Sequence, residues 1–76
     1  MIESIVLIEG QNVNQETLRS ISLSNAKQLV LGRAGAIGIV LDLAATTPAD
    51  LSNALVKFAQ ISGVTGVVTL TIRVQS

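Results

Sequence analysis

Histidine, cysteine, tryptophan and tyrosine are absent from this chain, and charge is scarce. General acid–base catalysis, covalent catalysis and transition-metal binding draw mostly on His, Cys and clustered carboxylates. Their absence argues against an enzyme and against a metal centre, and no cofactor is expected. Five acids (Glu3, Glu9, Glu16, Asp42, Asp50) face five bases (Arg19, Lys27, Arg33, Lys57, Arg73), and formal charge sums to zero. Scattered cations without Tyr or Trp do not make the basic, stacking surface that nucleic-acid binders present. Without cysteine or histidine, disulfide and zinc staples are closed to the fold.

What is present is aliphatic. Apolar residues make up 49% of the 76, and only Phe58 is aromatic. A single domain over residues 1–76 is expected. A chain of this size buries only about 60% of its unfolded surface, so close packing or self-association has to supply the stability. Zero net charge removes one barrier between copies. The longest apolar stretch, from Leu29 to Ala45, is broken by Arg33 and Asp42 and holds three glycines, which does not suit a membrane span. The start, Met1-Ile2-Glu3-Ser4, lacks the basic and small-residue features of a secretory signal, so the cytoplasm is the expected location.

Hydropathy patterning gives six elements. Ile5-Val6-Leu7-Ile8 reads as the middle of a first strand, Ile2 to Glu9, covered on both faces. Asn12 or Asn14 can cap a helix carrying Leu18 and Ile21. Residues Lys27 to Arg33 fit a strand ending in a turn at Ala34-Gly35, although Leu18, Ile21, Asn25, Ala26 and Leu29 also fit one helical face. Ala36 to Ala44 alternates, with Ile37, Ile39, Leu41 and Leu43 on one side. Thr47-Pro48-Ala49-Asp50 opens a helix whose Leu51, Ala54, Leu55 and Phe58 form a stripe, with Gly63 as its stop. From Val64 to Gln75 the chain alternates with period two, placing Val67, Thr69, Thr71 and Arg73 on one face.

The order β-α-β-β-α-β resembles the ferredoxin-like plait, an α+β fold with a four-stranded antiparallel sheet and two helices on one face. The stretch Phe58-Ala59-Gln60-Ile61-Ser62-Gly63-Val64-Thr65-Gly66-Val67 looks like the helix, Ile-x-Gly-Val, strand junction of ACT-like and heavy-metal-associated-like domains. The metal-binding families carry a Cys pair after the first strand; this chain has Gly10-Gln11-Asn12 there. The ACT-like resemblance implies amino-acid or small-anion binding at Gly10, Gln11, Asn12 and Asn14. A plain turn and N-cap is the preferred reading of those residues.

Other constellations are poor in chemistry. Gly32-Arg33-Ala34-Gly35-Ala36-Ile37-Gly38 leads into a strand rather than a helix, so a turn is preferred over a phosphate loop. Glu3 and Glu9 lie roughly 20 Å apart along one strand, at about 3.3 Å per residue, too far to act on one bond. The abundant Ser and Thr have no His to activate them. The sheet face away from the helices is the better candidate. With Glu3 and Glu9 outward, Ile5, Leu7, Val40 and Val67 form an apolar centre rimmed by Thr65, Thr69, Thr71, Asp42 and Arg73, with Asp42 and Arg73 meeting across strands. A one-residue slip of the first strand would exchange its faces. The last strand, at a sheet edge, offers a second joining surface. The expectation is a non-enzymatic module that forms a homodimer or binds a protein partner, with no nucleic-acid or membrane role. The alternative is an ACT-like small-molecule sensor.

Overall fold

The computed structural model describes residues 1–11, 13–36 and 38–74. In chain order the elements are β1 (Ile2–Gly10), α1 (Gln15–Arg19), β2 (Ala26–Ala34), β3 (Gly38–Ala45), α2 (Pro48–Ala59) and β4 (Val64–Val74). The chain is α+β. Its four strands form one sheet in the order β2-β3-β1-β4, with every neighbouring pair antiparallel.

One face of the sheet carries the core. Ile2, Val6 and Ile8 of β1 and Ile39, Leu41, Leu43 and Ala45 of β3 are buried together with Leu18 of α1 and Leu51, Ala54 and Phe58 of α2. The odd-numbered residues of β1 are only half-buried, which fixes the first-strand register: Glu3, Ile5, Leu7 and Glu9 lie on the opposite, open face. Phe58 is completely buried, and the one aromatic ring is the largest of the fully buried side chains in the core.

Local chemistry sets the element ends. In α2, Thr47 Oγ1 accepts the Asp50 amide at 3.2 Å and donates to Asp50 Oδ2 at 2.9 Å, while Pro48 opens the first turn. The Asp carboxylate therefore clasps the capping hydroxyl rather than reaching back to the cap amide. The helix ends at Ala59 with Gln60 as its cap, so Gly63 is not the stop expected from the sequence. Gly63 takes φ +93 and turns the chain into β4, where its carbonyl accepts the Gln11 amide at 3.1 Å. The segment from residue 26 is a strand, which settles the choice between strand and helix. Asn25 adopts φ 55, a left-handed conformation that ends any helical run, and α1 closes after five residues. Ile21 falls just beyond α1 and still packs on the core. Ile37, expected on the core face of β3, lies outside the described residues.

β4 departs from the strict alternation of its sequence. Its pairing with β1 shifts between Ile5/Val6 and between Glu9/Gly10, leaving Leu70 and Thr65 as extra residues. Each bulge exchanges the faces of the residues beyond it. Val67 lies opposite Ile8 and packs against the core, and Thr69 lies opposite Val6; Thr71 and Arg73 lie opposite Ile5 and Glu3 on the open face. Val67 and Thr69 are therefore on the helix side, a correction to the open-face set. Val68, opposite Leu7, takes the place assigned to Val67.

Candidate interaction surface

The sheet ladders determine what the open face presents, because residues directly opposite in a ladder share a face. One row runs Lys27, Ala44, Glu3, Arg73 across β2, β3, β1 and β4. The next runs Leu29, Asp42, Ile5, Thr71, and a third Gly32, Val40, Leu7, Val68. Leu31 is the extra residue of a bulge in β2 and follows inward-facing Val30, so alternation turns it to the open side; Leu70 in β4 stands in the same relation to Thr69. The last row holds Ala34, Gly38, Glu9 and Gly66.

The centre of this face is aliphatic and wet. Leu29 is 63% exposed, Leu31 52% and Leu70 51%, while Ile5, Leu7 and Val40 are half-buried. Two glycines let the surface lie flat. A Cβ on Gly38 would come 2.6 Å from Leu7 Cδ1, so Leu7 rests across that glycine. The Glu9 side chain likewise leans over Gly66, 3.3 Å from where a Cβ would be.

Charge gathers at one end. The Arg73 guanidinium pairs with the Glu3 carboxylate across the β1–β4 ladder. Asp42 does not meet Arg73, because β1 stands between β3 and β4 and Glu3 takes the cation first. Asp42 and Glu3 are instead diagonal neighbours on β3 and β1, with Ile5 opposite Asp42 and Ala44 opposite Glu3. The two carboxyls behave differently. Hydrogen bonds from Arg73 and from Asp42 hold the Glu3 carboxyl below its ordinary pKa, against a small burial effect. Burial, then a hydrogen bond to Glu3 and the Glu3 charge, push Asp42 above its own. Asp42 Oδ1 is buried with no hydrogen-bond partner. A cavity of about 470 Å³ opens here, lined by Glu3, Ile5, Asp42, Thr71, Ile72 and Arg73. Sequence reasoning missed this acid pair, because spacing along one strand cannot show it. The signal lies in the β1–β3 register, which puts Glu3 beside Asp42 once the two strands are neighbours.

The bulge at Leu70 is held by side chains. Ser4, the one fully buried polar residue on the core face of β1, donates from Oγ to the Thr71 carbonyl at 2.7 Å. Thr71 Oγ1 accepts the Ile5 amide at 3.3 Å. These two bonds serve backbone groups where the ladder changes register.

The loop after β1 is packed and internally bonded. A Cβ on Gly10 would lie 2.3 Å from the Gly63 carbonyl oxygen, and the Gln11 amide donates to that same oxygen. Asn14 Oδ1 accepts the Thr17 amide at 2.8 Å and the Thr17 hydroxyl at 2.9 Å, so Asn14 is the cap of α1. Asn12 lies outside the described residues. Among the described residues, no group of three or more His, Cys, Asp or Glu could hold a metal ion, and no helix is long and apolar enough to cross a membrane. No family model, curated protein or solved structure matches this chain.

Proposed function

We propose that this chain is a ferredoxin-like plait acting as a non-enzymatic assembly module, and that two copies associate through the open sheet face. The antiparallel order with β1 and β3 inside and β4 at an edge supports the plait. The observation that carries the function is the aliphatic centre of the open face, with Lys27, Glu3, Arg73 and Glu9 in its end rows and Asp42 the one charged residue set inside. That is the anatomy of a protein interface: apolar core, polar rim.

Area and charge both favour a second copy as the occupant. Four strands at about 4.8 Å spacing and about nine residues at about 3.3 Å give a flat footprint of roughly 570 Å². Side-chain relief brings this toward the about 800 Å² per partner of a standard interface. The rim mixes Lys27 and Arg73 with Glu3 and Glu9, and the chain is neutral, so copies meet without net repulsion. A strongly charged partner gains nothing from such a rim. The edge of β4 is a poorer joint, since the extra residue at Leu70 interrupts straight pairing with another strand.

Sedimentation equilibrium across micromolar concentrations tests this. The wild-type chain is expected to dimerise. Leu31→Glu, at an exposed site where a monomer's stability changes by no more than about 0.5 kcal/mol, is expected to remain monomeric. A wild-type chain that stays monomeric to about 100 μM, where a standard-size interface should be populated, sinks the reading.

A further inference from the structure

We propose that covering the open face loads a proton onto the Glu3–Asp42 pair of each copy, so that two copies associate more tightly at pH 5 than at pH 7.5. The inference rests on the open-face dimer and adds a regulatory property to it.

Asp42 lies inside the face, between Leu29 of β2 and Ile5 of β1, and not at the rim. One of its oxygens is already shut away from water without a donor. The charged groups facing it are few. From β1 comes Glu3, from β2 Lys27, and from β4 Arg73, beyond Glu3; the Met1 α-amino group lies just before β1. Helices α1 and α2 contribute to the core on the other face and present no charge to it. Arg73 is committed to Glu3. Lys27 makes no ion pair with either carboxyl and lines a separate cavity with Met1, Asn25 and Thr46.

In the single chain Asp42 is only half-buried, so water on the open side still reaches the part of the side chain other than Oδ1. A second copy laid over Leu29 and Ile5 removes that water. Two neighbouring carboxylates served by one cation cannot both stay ionised in a dry contact, because the desolvation cost falls on the unpaired one. A proton taken from solvent relieves this: protonated Asp42 donates to the Glu3 carboxylate, which keeps its Arg73. No bond breaks, and the net change is one proton taken up per copy. The carboxyl already leans that way in the single chain, where burial and Glu3 favour its neutral form.

The test is sedimentation equilibrium of the full chain at pH 5.0, 6.0 and 7.5 and fixed ionic strength. One proton per copy is two per dimer, which limits the change in the dimer constant to about a hundredfold per pH unit, and a gain of at least about tenfold across the interval is expected. Asp42→Asn carries a neutral amide in the same shape. It is expected to associate at pH 7.5 as tightly as wild type does at pH 5.0, with little pH dependence. Glu3→Gln serves as a second variant and is also expected to flatten the profile. Glu16→Gln, an exposed acid on α1, changes net charge equally and is expected to keep the wild-type profile. Dimerisation that does not vary with pH overturns the proposal and leaves the open-face reading standing. So does tighter association at pH 7.5, as an ion pair from Lys27 of a second copy would give. A pH dependence unchanged in Asp42→Asn also overturns it. A monomer at every pH overturns the open-face reading itself.

Discussion

Asp42 is the residue where the fold works against itself. Its folded state favours the protonated form, so the stability it contributes is fully present below its unfolded pKa and is lost as pH rises through the folded one. Glu3 has the opposite sign: its contribution is present above its ordinary pKa and is lost as pH falls. At neutral pH the molecule therefore keeps the Glu3–Arg73 pairing and carries the cost of an ionised Asp42. Asp42→Asn is expected to raise unfolding stability at pH 7 by up to about 1 kcal/mol, the scale of an unmet polar group still partly in water. The gain should shrink toward zero as pH drops through the carboxylate range, where wild-type Asp42 is neutral too. Urea titrations at submicromolar chain concentration, at pH 7 and pH 3.5, would check both limits. A variant equally more stable at both would show that shape, not ionisation, sets the difference.

At the scale of elements, what could be read from the sequence divides by whether the cause is local. The Thr47-Pro48 start of α2, its Leu51, Ala54 and Phe58 stripe, and the even-numbered core face of β1 come from periodicity and capping within one segment. The five-residue length of α1 does not, because Leu18 and Ile21 satisfy the helical period equally well whether or not the helix continues. β4 shows the limit most clearly. Its alternation in sequence is unbroken, yet the strand inserts Thr65 and Leu70, and Val67 turns to the core. A bulge is set by the partner strand, and here the partner supplies Ser4. A serine among Ile2, Val6 and Ile8 was the available sign that β1 does more than fill the core. Ser4→Ala is expected to cost about 1–2 kcal/mol, since it leaves the Thr71 carbonyl without its buried donor. Chemical denaturation gives that number. Hydrogen exchange should show faster opening at Ile5 and Thr71 while α2 amides stay protected; uniform loss of protection would mean that Ser4 supports the core and not the bulge.

For the whole molecule, the two faces of one sheet divide the labour. The helix side holds nearly everything that is fully buried, and the open side holds Leu29, Leu31, Val68 and Leu70 in contact with water. A chain of 76 residues has a stability of about 4–11 kcal/mol at about 0.05–0.15 kcal/mol per residue. Apolar surface left outside the core is a large resource on that scale. Covering even about 400 Å² of it is worth about 10 kcal/mol before the entropy of association is subtracted. If copies meet there, folding and assembly are linked by mass action, and the unfolding midpoint must rise with chain concentration. The thermal midpoint of the wild-type chain is expected to climb by several degrees between about 1 and 100 μM, given that about 1 kcal/mol moves a domain of this size by about 4–8 °C. Leu31→Glu should hold a constant midpoint over the same range, close to the wild-type value at the lowest concentration. Scanning calorimetry at three concentrations decides it. A wild-type midpoint that does not move would mean that the helix-side core stabilises the fold alone and that the open face is not joined to a second copy.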